Sequence, residues 1–485
     1  MTPRGPRAAA LAAGLLPWLG LGACSLAPRY SAPASAPAAA AYQEMGDWVQ
    51  ARPLDAEPRG AWWTVFGDPR LDALENQAGP ANQDLKAAFA RLEQARAATR
   101  IARADYLPTL SAAASATRNR ASTSFPTFPK GVNPVYNDFS LTGDLSYEID
   151  LFGRVRNAVA SARAEQQASA ADLAALELAV RAELATDHYA LRAADAQQAL
   201  LDRTVEEYRL ALMLTENLYK GGGAALADVE QARAQLETAR TLAADVRLQR
   251  AQTEHAIAVL VGANPTGFHL DPDPLPLAVS APVVDPGLPS TLLERRPDVA
   301  AAERRVASAN AQIGIARAAY FPSFSLSAAT GFQSTQAATW LSAPSRLWSV
   351  GPAGVLTVFD AGRHRAQNAL ARAAYEEQVA NYRATVLTAY QEVEDALAAI
   401  RQLRQESLSE AAAVTATGKA LEQSRYRYKA GLVTYLEVAV NENNALQAQL
   451  ASLGIQLRLI DASVRLVKAL GGGWQGPEPG TTAAR

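Results

Sequence analysis

Apolar side chains in the C-terminal third of the chain recur at alternating steps of four and three. Val379, Tyr382, Val386, Ala389, Val393, Ala396, Ile400 and Leu403 form one seam; Leu446, Leu450, Leu453, Leu457, Ile460, Val464 and Val467 form another. A period of 3.5 keeps a helical seam turned toward its neighbour and implies left-handed supercoiling. A partial second stripe, Ile455, Leu459, Ala462, Leu466 and Ala469, lies beside the last seam. Two seams let one helix pack on both sides, as the wall of a helical barrel requires; an antiparallel bundle with a broad apolar face is the alternative. Four long helices are predicted, over 154–219, 224–261, 362–429 and 433–470. At 1.5 Å per residue the first would be about 100 Å long, more than a globular domain uses.

Elsewhere the period changes to two. Phe139, Leu141, Leu145, Tyr147, Ile149 and Leu151 alternate with Ser140, Thr142, Asp144, Ser146, Glu148 and Asp150. Phe324, Leu326, Ala328 and Phe332 alternate with Ser323, Ser325, Ser327 and Gln333. The stretch after Pro108 alternates more weakly, and a fourth candidate, 347–359, is poorly patterned. Strands of about ten residues with one apolar face suit a membrane barrel or a soluble sheet with one wet face.

The chain is one unit written twice. Arg103-Ala104-Asp105-Tyr106-Leu107-Pro108 returns as Arg317-Ala318-Ala319-Tyr320-Phe321-Pro322, and Phe152-Gly153-Arg154 as the Gly362-Arg363 that follows Phe359. Tyr219-Lys220-Gly221-Gly222 returns as Tyr428-Lys429-Ala430-Gly431, Asp228-Val229 as Glu437-Val438, and Leu260-Val261-Gly262 as Leu470-Gly471. Each copy reads helix, strand, loop, strand, very long helix, tight turn, very long helix. The glycines Gly221, Gly222 and Gly431 mark the turns by their permissive backbone. Between the copies a Pro-rich linker, 263–297, cannot be a long helix.

Composition narrows the function. The 46 Lys+Arg and 48 Asp+Glu nearly cancel, so no field favours nucleic acid. The single cysteine, Cys24, excludes an internal disulfide and a cysteine zinc cluster. It follows a basic start, an apolar run over 8–21 and Leu21-Gly22-Ala23, the layout of a signal peptide over 1–23. A cysteine directly after the small residues resembles a bacterial lipobox, in which Cys24 would be acylated; the alternative is a fortuitous Cys in a signal sequence. No later stretch reaches 18 uninterrupted apolar residues, so a crossing of a membrane must be by barrel. Four strands cannot close one, and open edges in lipid would leave backbone groups unpaired. Strand count alone permits two, three or four copies of the chain around one barrel.

Taken together, Trp62-Trp63 with Phe66-Gly67-Asp68-Pro69, Glu294-Arg295-Arg296-Pro297-Asp298-Val299, Ala316 through Pro322, and Leu470-Gly471-Gly472-Gly473-Trp474 resemble the TolC/OprM family of outer-membrane efflux proteins, in its NodT-like lipoprotein branch. The resemblance spans nearly the whole mature chain. It implies a mainly α protein with a transmembrane β part. In it a trimeric, 12-stranded barrel, four strands per chain, continues into a 12-helix periplasmic α-barrel. It divides the chain into a lipid-anchored extended segment 24–60, repeats over 61–262 and 298–473, an equatorial linker 263–297 and a tail 474–485. Residues 118–137 and 334–346 would be extracellular loops. It further implies a periplasmic gate at the hairpin tips, with Tyr428, Glu437 and Asp228 near the aperture. The family's basic gate partner is Val433 here, so a closing salt link would be absent or rerouted to Arg425 or Arg427. Acids after a glycine turn are also favoured by the helix dipole whatever their function. Implied partners are two further copies, a periplasmic adaptor, an inner-membrane RND-type pump and outer-membrane lipid; no cofactor beyond the lipid on Cys24 is implied.

Catalysis has little support. His188, His255, His269 and His364 are widely spaced without HExxH, and no GxSxG or phosphate-loop frame occurs. The other readings are a lipid-anchored periplasmic coiled-coil scaffold, or the same duct serving type I protein secretion or heavy-metal cations. With three Met in the chain, a thioether ladder for copper is disfavoured.

Overall fold

The computed structural model describes residues 25–34, 59–124, 131, 133–276 and 296–472. The predicted signal peptide, Cys24, most of the segment 24–60, linker residues 277–295 and the tail lie outside the described residues. After a 3-10 turn, Arg59–Phe66, come α1 (Pro69–Ala81), α2 (Gln83–Ala104), β1 (Thr109–Arg120) and β2 (Val135–Ile149). They are followed by α3 (Arg154–Lys220), α4 (Leu226–Leu260), α5 (Pro297–Ala318), β3 (Ser323–Ser334), β4 (Arg346–Val355), α6 (Arg363–Lys429) and α7 (Tyr435–Ala469). The repeat is nearly literal in length. α2 and α5 each have 22 residues, β1 and β3 have 12, α3 and α6 have 67, and α4 and α7 have 35. Only the second strands differ, 15 residues in β2 against 10 in β4. The connections 118–137 and 334–346 are shorter than expected, because strand pairing reaches Arg120, Val135 and Arg346.

All four long helices stop in the same way. At Gly222, Gly262, Gly431 and Gly471 the backbone turns left-handed, with φ of 76, 70, 71 and 84°. Each of these glycines donates to the carbonyl three residues back, and the next residue donates to the carbonyl five back, as in Gly431→Tyr428 and Leu432→Arg427. This Schellman pair satisfies carbonyls that a helix end leaves free. Gly221 is not one of the left-handed positions; it closes the last α turn of α3 by donating to Asn217. At Gly262 the need is double, since a Cβ there would lie 2.5 Å from the Ala81 carbonyl oxygen.

The residues divide into two compact units that cut across the repeats. One contains Leu92–Ser169, Ala302–Tyr382 and residues 25–34; the other contains Ala170–Ala301 with residues 59–91 and 383–472. In the first unit the strands form one antiparallel sheet in the order β1-β2-β3-β4. Register decides the character of its faces, because residues directly opposed across a pair share a face. Leu110 opposes Leu145, which opposes Ala328, which opposes Val350. Tyr147 opposes Leu326, which opposes Pro352; Gly143 opposes Thr330, which opposes Trp348. The poorly patterned fourth strand thus adds Trp348, Val350 and Pro352 to the apolar side. Ser111, Asp144, Ser146, Ser325 and Ser327 lie on the other side. The apolar side is bare: Leu110 is 76%, Trp348 73% and Val350 63% exposed. No helix among the described residues is long and apolar enough to cross a membrane.

In the second unit the predicted seams are buried. Tyr382 lies in the first unit; from Val386 to Leu403 every seam residue of α6 is buried, as are Leu446, Leu453, Ile460, Val464 and Val467 of α7. The second stripe of α7 is buried through Ile455, Ala462, Leu466 and Ala469, so its last turns pack on two sides. Trp62 and Trp63 join Leu71, Ala182, Ala185, Tyr189, Ile460 and Val464 in one core. Asp68 caps α1 by accepting from the amides of Arg70 and Leu71, and also pairs with His188 at 2.8 Å and Arg192 at 2.6 Å. Burial pushes its carboxyl up, but His188, the Leu71 amide and Arg192 outweigh this and hold it well below the usual range. Arg296 of the Glu-Arg-Arg-Pro motif is buried and donates to Asp298, Glu392 and the Ala469 carbonyl, fastening the start of α5 to α6 and the end of α7.

Glu75 of α1 is fully buried, neither carboxyl oxygen has a hydrogen-bond partner, and Arg181 comes no closer than 3.7 Å. Burial pushes its pKa up to about 8, with Asp72 and Glu177 adding and Arg181 opposing. A raised carboxyl makes the folded state hold the extra proton, so stability falls as pH rises from the ordinary carboxyl range to about 8 and is level above it. Glu75→Gln should therefore lie close to the parent near pH 5 and be more stable by roughly 4–5 kcal/mol at pH 9, a pKa unit being worth about 1.4 kcal/mol. Thermal unfolding of the detergent-extracted protein at both pH values checks this; parallel pH profiles would show that Glu75 is not the group responsible.

Candidate functional site at the hairpin tips

The second unit carries both hairpin tips. In the first, α3 ends at Lys220, Gly222 turns the chain, and α4 begins at Leu226. The Asp228 carboxylate turns back to accept from the Ala225 amide at 3.1 Å. That is a capping role, reinforced by the positive end of the helix dipole. In the second, α6 ends at Lys429, Gly431 turns, and Glu437 in the first turn of α7 pairs with Arg427 at 2.7 Å. This link stays inside one hairpin.

Other contacts join the two hairpins. Arg425 of α6 reaches Glu207 of α3 at 2.7 Å and Glu442 of α7 at 3.0 Å. Gln235 of α4 donates to the Ala439 carbonyl at 2.8 Å and accepts from the Tyr435 hydroxyl at 3.2 Å. Tyr428 meets the Tyr435 ring edge-on, with centroids 5.8 Å apart. Burial pushes the Tyr428 phenol above its ordinary value, Asp228 adds to this, and Thr215 opposes it. Glu442 is buried with one oxygen unpartnered; burial raises its pKa while Arg425 pulls it down. These groups flank an open groove of about 980 Å³ whose walls include Leu214, Leu218, Asp228, Tyr428, Val433 and Val438.

Of the predicted gate residues, the structure brings Tyr428 and Asp228 to this groove and sets Glu437 apart, against Arg427. Val433 lines the groove as an apolar residue, and the cation that bridges the hairpins is Arg425. Glu207, Glu442, Gln235 and Thr215 were not singled out from the sequence. Glu442 left a signal: it stands one step of four before Leu446, on the seam, where a carboxylate needs a partner. No cluster of His, Cys, Asp or Glu among the described residues is arranged to hold a metal.

Arg425 thus links the two hairpins through Glu207 and Glu442. Arg425→Ala should broaden and lengthen the distance distribution between spin labels on cysteines replacing Ala227 and Leu432, measured by double electron–electron resonance. Arg427→Ala, which breaks a link within one hairpin, should leave it unchanged. Equal behaviour of the two variants would remove Arg425 from this role.

The sequence profile of the outer membrane efflux proteins matches residues 74–263 and 288–472, one match per repeat. The antibiotic efflux pump outer membrane protein ArpC of Pseudomonas putida is 34% identical over 458 residues, covering 94% of this chain and 93% of its own. The outer membrane protein OprJ of Pseudomonas aeruginosa is 33% identical over 461 residues, covering 95% of each. Among solved structures, the outer-membrane channel OprN superposes with a TM-score of 0.84 at 32% identity, covering 93% of this chain and all of that one. A bare apolar sheet face, four long paired helices and this likeness over nearly the full length agree: the chain belongs to the outer membrane efflux protein family.

Proposed function

We propose that this protein is the passive exit duct of a tripartite efflux system, carrying drugs and other small toxic molecules from the periplasm across the outer membrane. Three copies would contribute four strands and four long helices each, giving one barrel and one helical tunnel. The observation that carries this reading is the sheet: among the described residues its apolar face has no protein cover and its two edge strands have no partner. Lipid suits the face, and only another copy can supply the edges while keeping the tube open.

The tips are the natural gate. Arg425, bridging Glu207 and Glu442, together with Gln235, bonded to the Ala439 carbonyl and the Tyr435 hydroxyl, would hold the hairpins in the resting arrangement. A periplasmic adaptor engaging the tips would release them, and the inner-membrane RND-type pump would select the cargo. The duct itself chooses weakly, since a channel discriminates by its width and the charge of its rings. Acylation of Cys24 fits the path of the residues that follow it. Ser25 bonds to Asn157 in the first turn of α3, just past β2, and the Leu26 carbonyl accepts from Arg317 near the start of β3. Residues 25 and 26 therefore lie beside the foot of the sheet, a position from which a lipid on Cys24 would meet the bilayer.

Single-channel recording in planar bilayers tests pore and gate together. The parent protein should give discrete, mostly closed, small-conductance events, and Arg425→Ala together with Gln235→Ala should raise the open-state conductance several-fold. Material that inserts but never conducts, with or without these changes, would favour the coiled-coil scaffold instead.

A further inference from the structure

The internal repeat contains more than a fold; it holds a template for the contact between copies. Within the chain, the second strand of repeat one, β2, pairs with the first strand of repeat two, β3. Around a closed ring of such chains, the second strand of repeat two, β4, must meet the first strand of repeat one, β1, of the next copy. The two junctions are related by the same repeat, so the register of the visible one can be carried to the other.

The correspondence is fixed at two landmarks. Pro108 and Pro322 stand at equal distances before β1 and β3. Gly153 and Gly362 stand directly before α3 and α6, both with left-handed backbone, φ 79 and 87°. The first hairpin checks it: Leu110 opposite Leu145 transfers to Phe324 opposite Gly354, and that is the observed pair. Matching Phe152 to Phe359, as the sequence alone invites, would put Phe324 opposite Pro352, which is not observed. The glycine landmark therefore holds.

Applied to the β2–β3 junction, Ile149 opposite Phe324 transfers to Val358 opposite Leu110 of the partner subunit. Tyr147 opposite Leu326 transfers to Leu356 opposite Ala112 of the partner subunit. Yet β4 ends at Val355 in the single chain, while its counterpart β2 remains in strand to the equivalent of Val358. The residues that would extend it, Leu356, Thr357 and Val358, keep the period of two, with Leu356 and Val358 on the apolar side. Val358 is 90% exposed in the single chain, as bare as Leu110 across the missing junction.

We infer that in the assembled protein β4 continues through Val358 by antiparallel pairing with β1 of a second copy, Val358 facing Leu110 of the partner subunit. The partner is another molecule of this chain, and the inference rests on the shared-barrel reading above. Two exposed aliphatic side chains cover each other, and the one strand shorter than its repeat counterpart gains the missing length at this end. The unpaired backbone groups on the outer edges of β1 and β4 are satisfied in the same step.

Paired cysteines read the register in outer membranes containing the full chain. Leu110→Cys with Val358→Cys should, on oxidation, convert most of the protein to covalent dimers and trimers that reduction returns to monomers. Leu110→Cys with Leu356→Cys should not, because diagonal neighbours stand about 7–8 Å apart, beyond the usual disulfide reach. Ile149→Cys with Phe324→Cys, directly opposed within one chain, controls for oxidation at that depth. Cross-linking of the Leu110 and Leu356 pair in preference would overturn the register while leaving the shared barrel standing. A working control with no cross-link from either pair, in protein that still sizes as an oligomer, would also overturn it. A monomeric particle would remove the shared barrel itself.

Discussion

A backbone amide or carbonyl in hydrocarbon has no water to turn to, and each one left unpaired costs several kcal/mol. Among its described residues this protein presents a four-stranded sheet with one face fit for lipid and two edges without partners. The sheet is incomplete as a solitary object, and that incompleteness organises the rest. It explains why the chain is written twice: each repeat supplies a hairpin of wall and a hairpin of helices, and adding units of the same shape closes a ring. It also explains the abundance of alanine on the helices, since small side chains such as Ala185, Ala239 and Ala243 let neighbouring helices approach closely over many turns.

At the hairpin tips polar links join the apolar packing. Tyr435, Val438 and Ala439 remain buried there beside Tyr428, while Arg425 reaches Glu207 of the other hairpin. Glu442 occupies a position where the pattern wants an aliphatic side chain, and its charge is tolerable only while Arg425 is near. A hydrophobic residue there would need no partner; the partly exposed Arg425 instead ties Glu442 to Glu207 of the other hairpin. The Schellman turns at Gly222 and Gly431 satisfy the end carbonyls of α3 and α6, so each tip is closed by its own backbone.

Much of this was legible in the sequence. The four long helices begin and end within two residues or so of the predicted limits, because glycine stops and a 3.5 period are local signals. The α7 seams were legible for the same reason. β4 was not: Leu347, Trp348, Val350, Pro352 and Val355 do not alternate, and only pairing with β3 shows which of them share the apolar face. The links from Arg425 to Glu207 and from Gln235 to Ala439 were also invisible, since they join residues about two hundred positions apart through the packing of two hairpins. Tyr428 and Asp228 were reached through family resemblance, Arg425 through the absence of a basic residue at Val433. Gly221 shows the limit of motif reading: the pair of glycines marks the turn, but only the second needs its left-handed freedom.

The central claim is that one chain provides a third of a wall. Native mass spectrometry of protein extracted from the outer membrane in mild detergent counts the copies directly. The account predicts a single dominant species of three chains, with no folded monomer surviving dilution. A stable, folded single chain, or a dominant species of two or four, would contradict it.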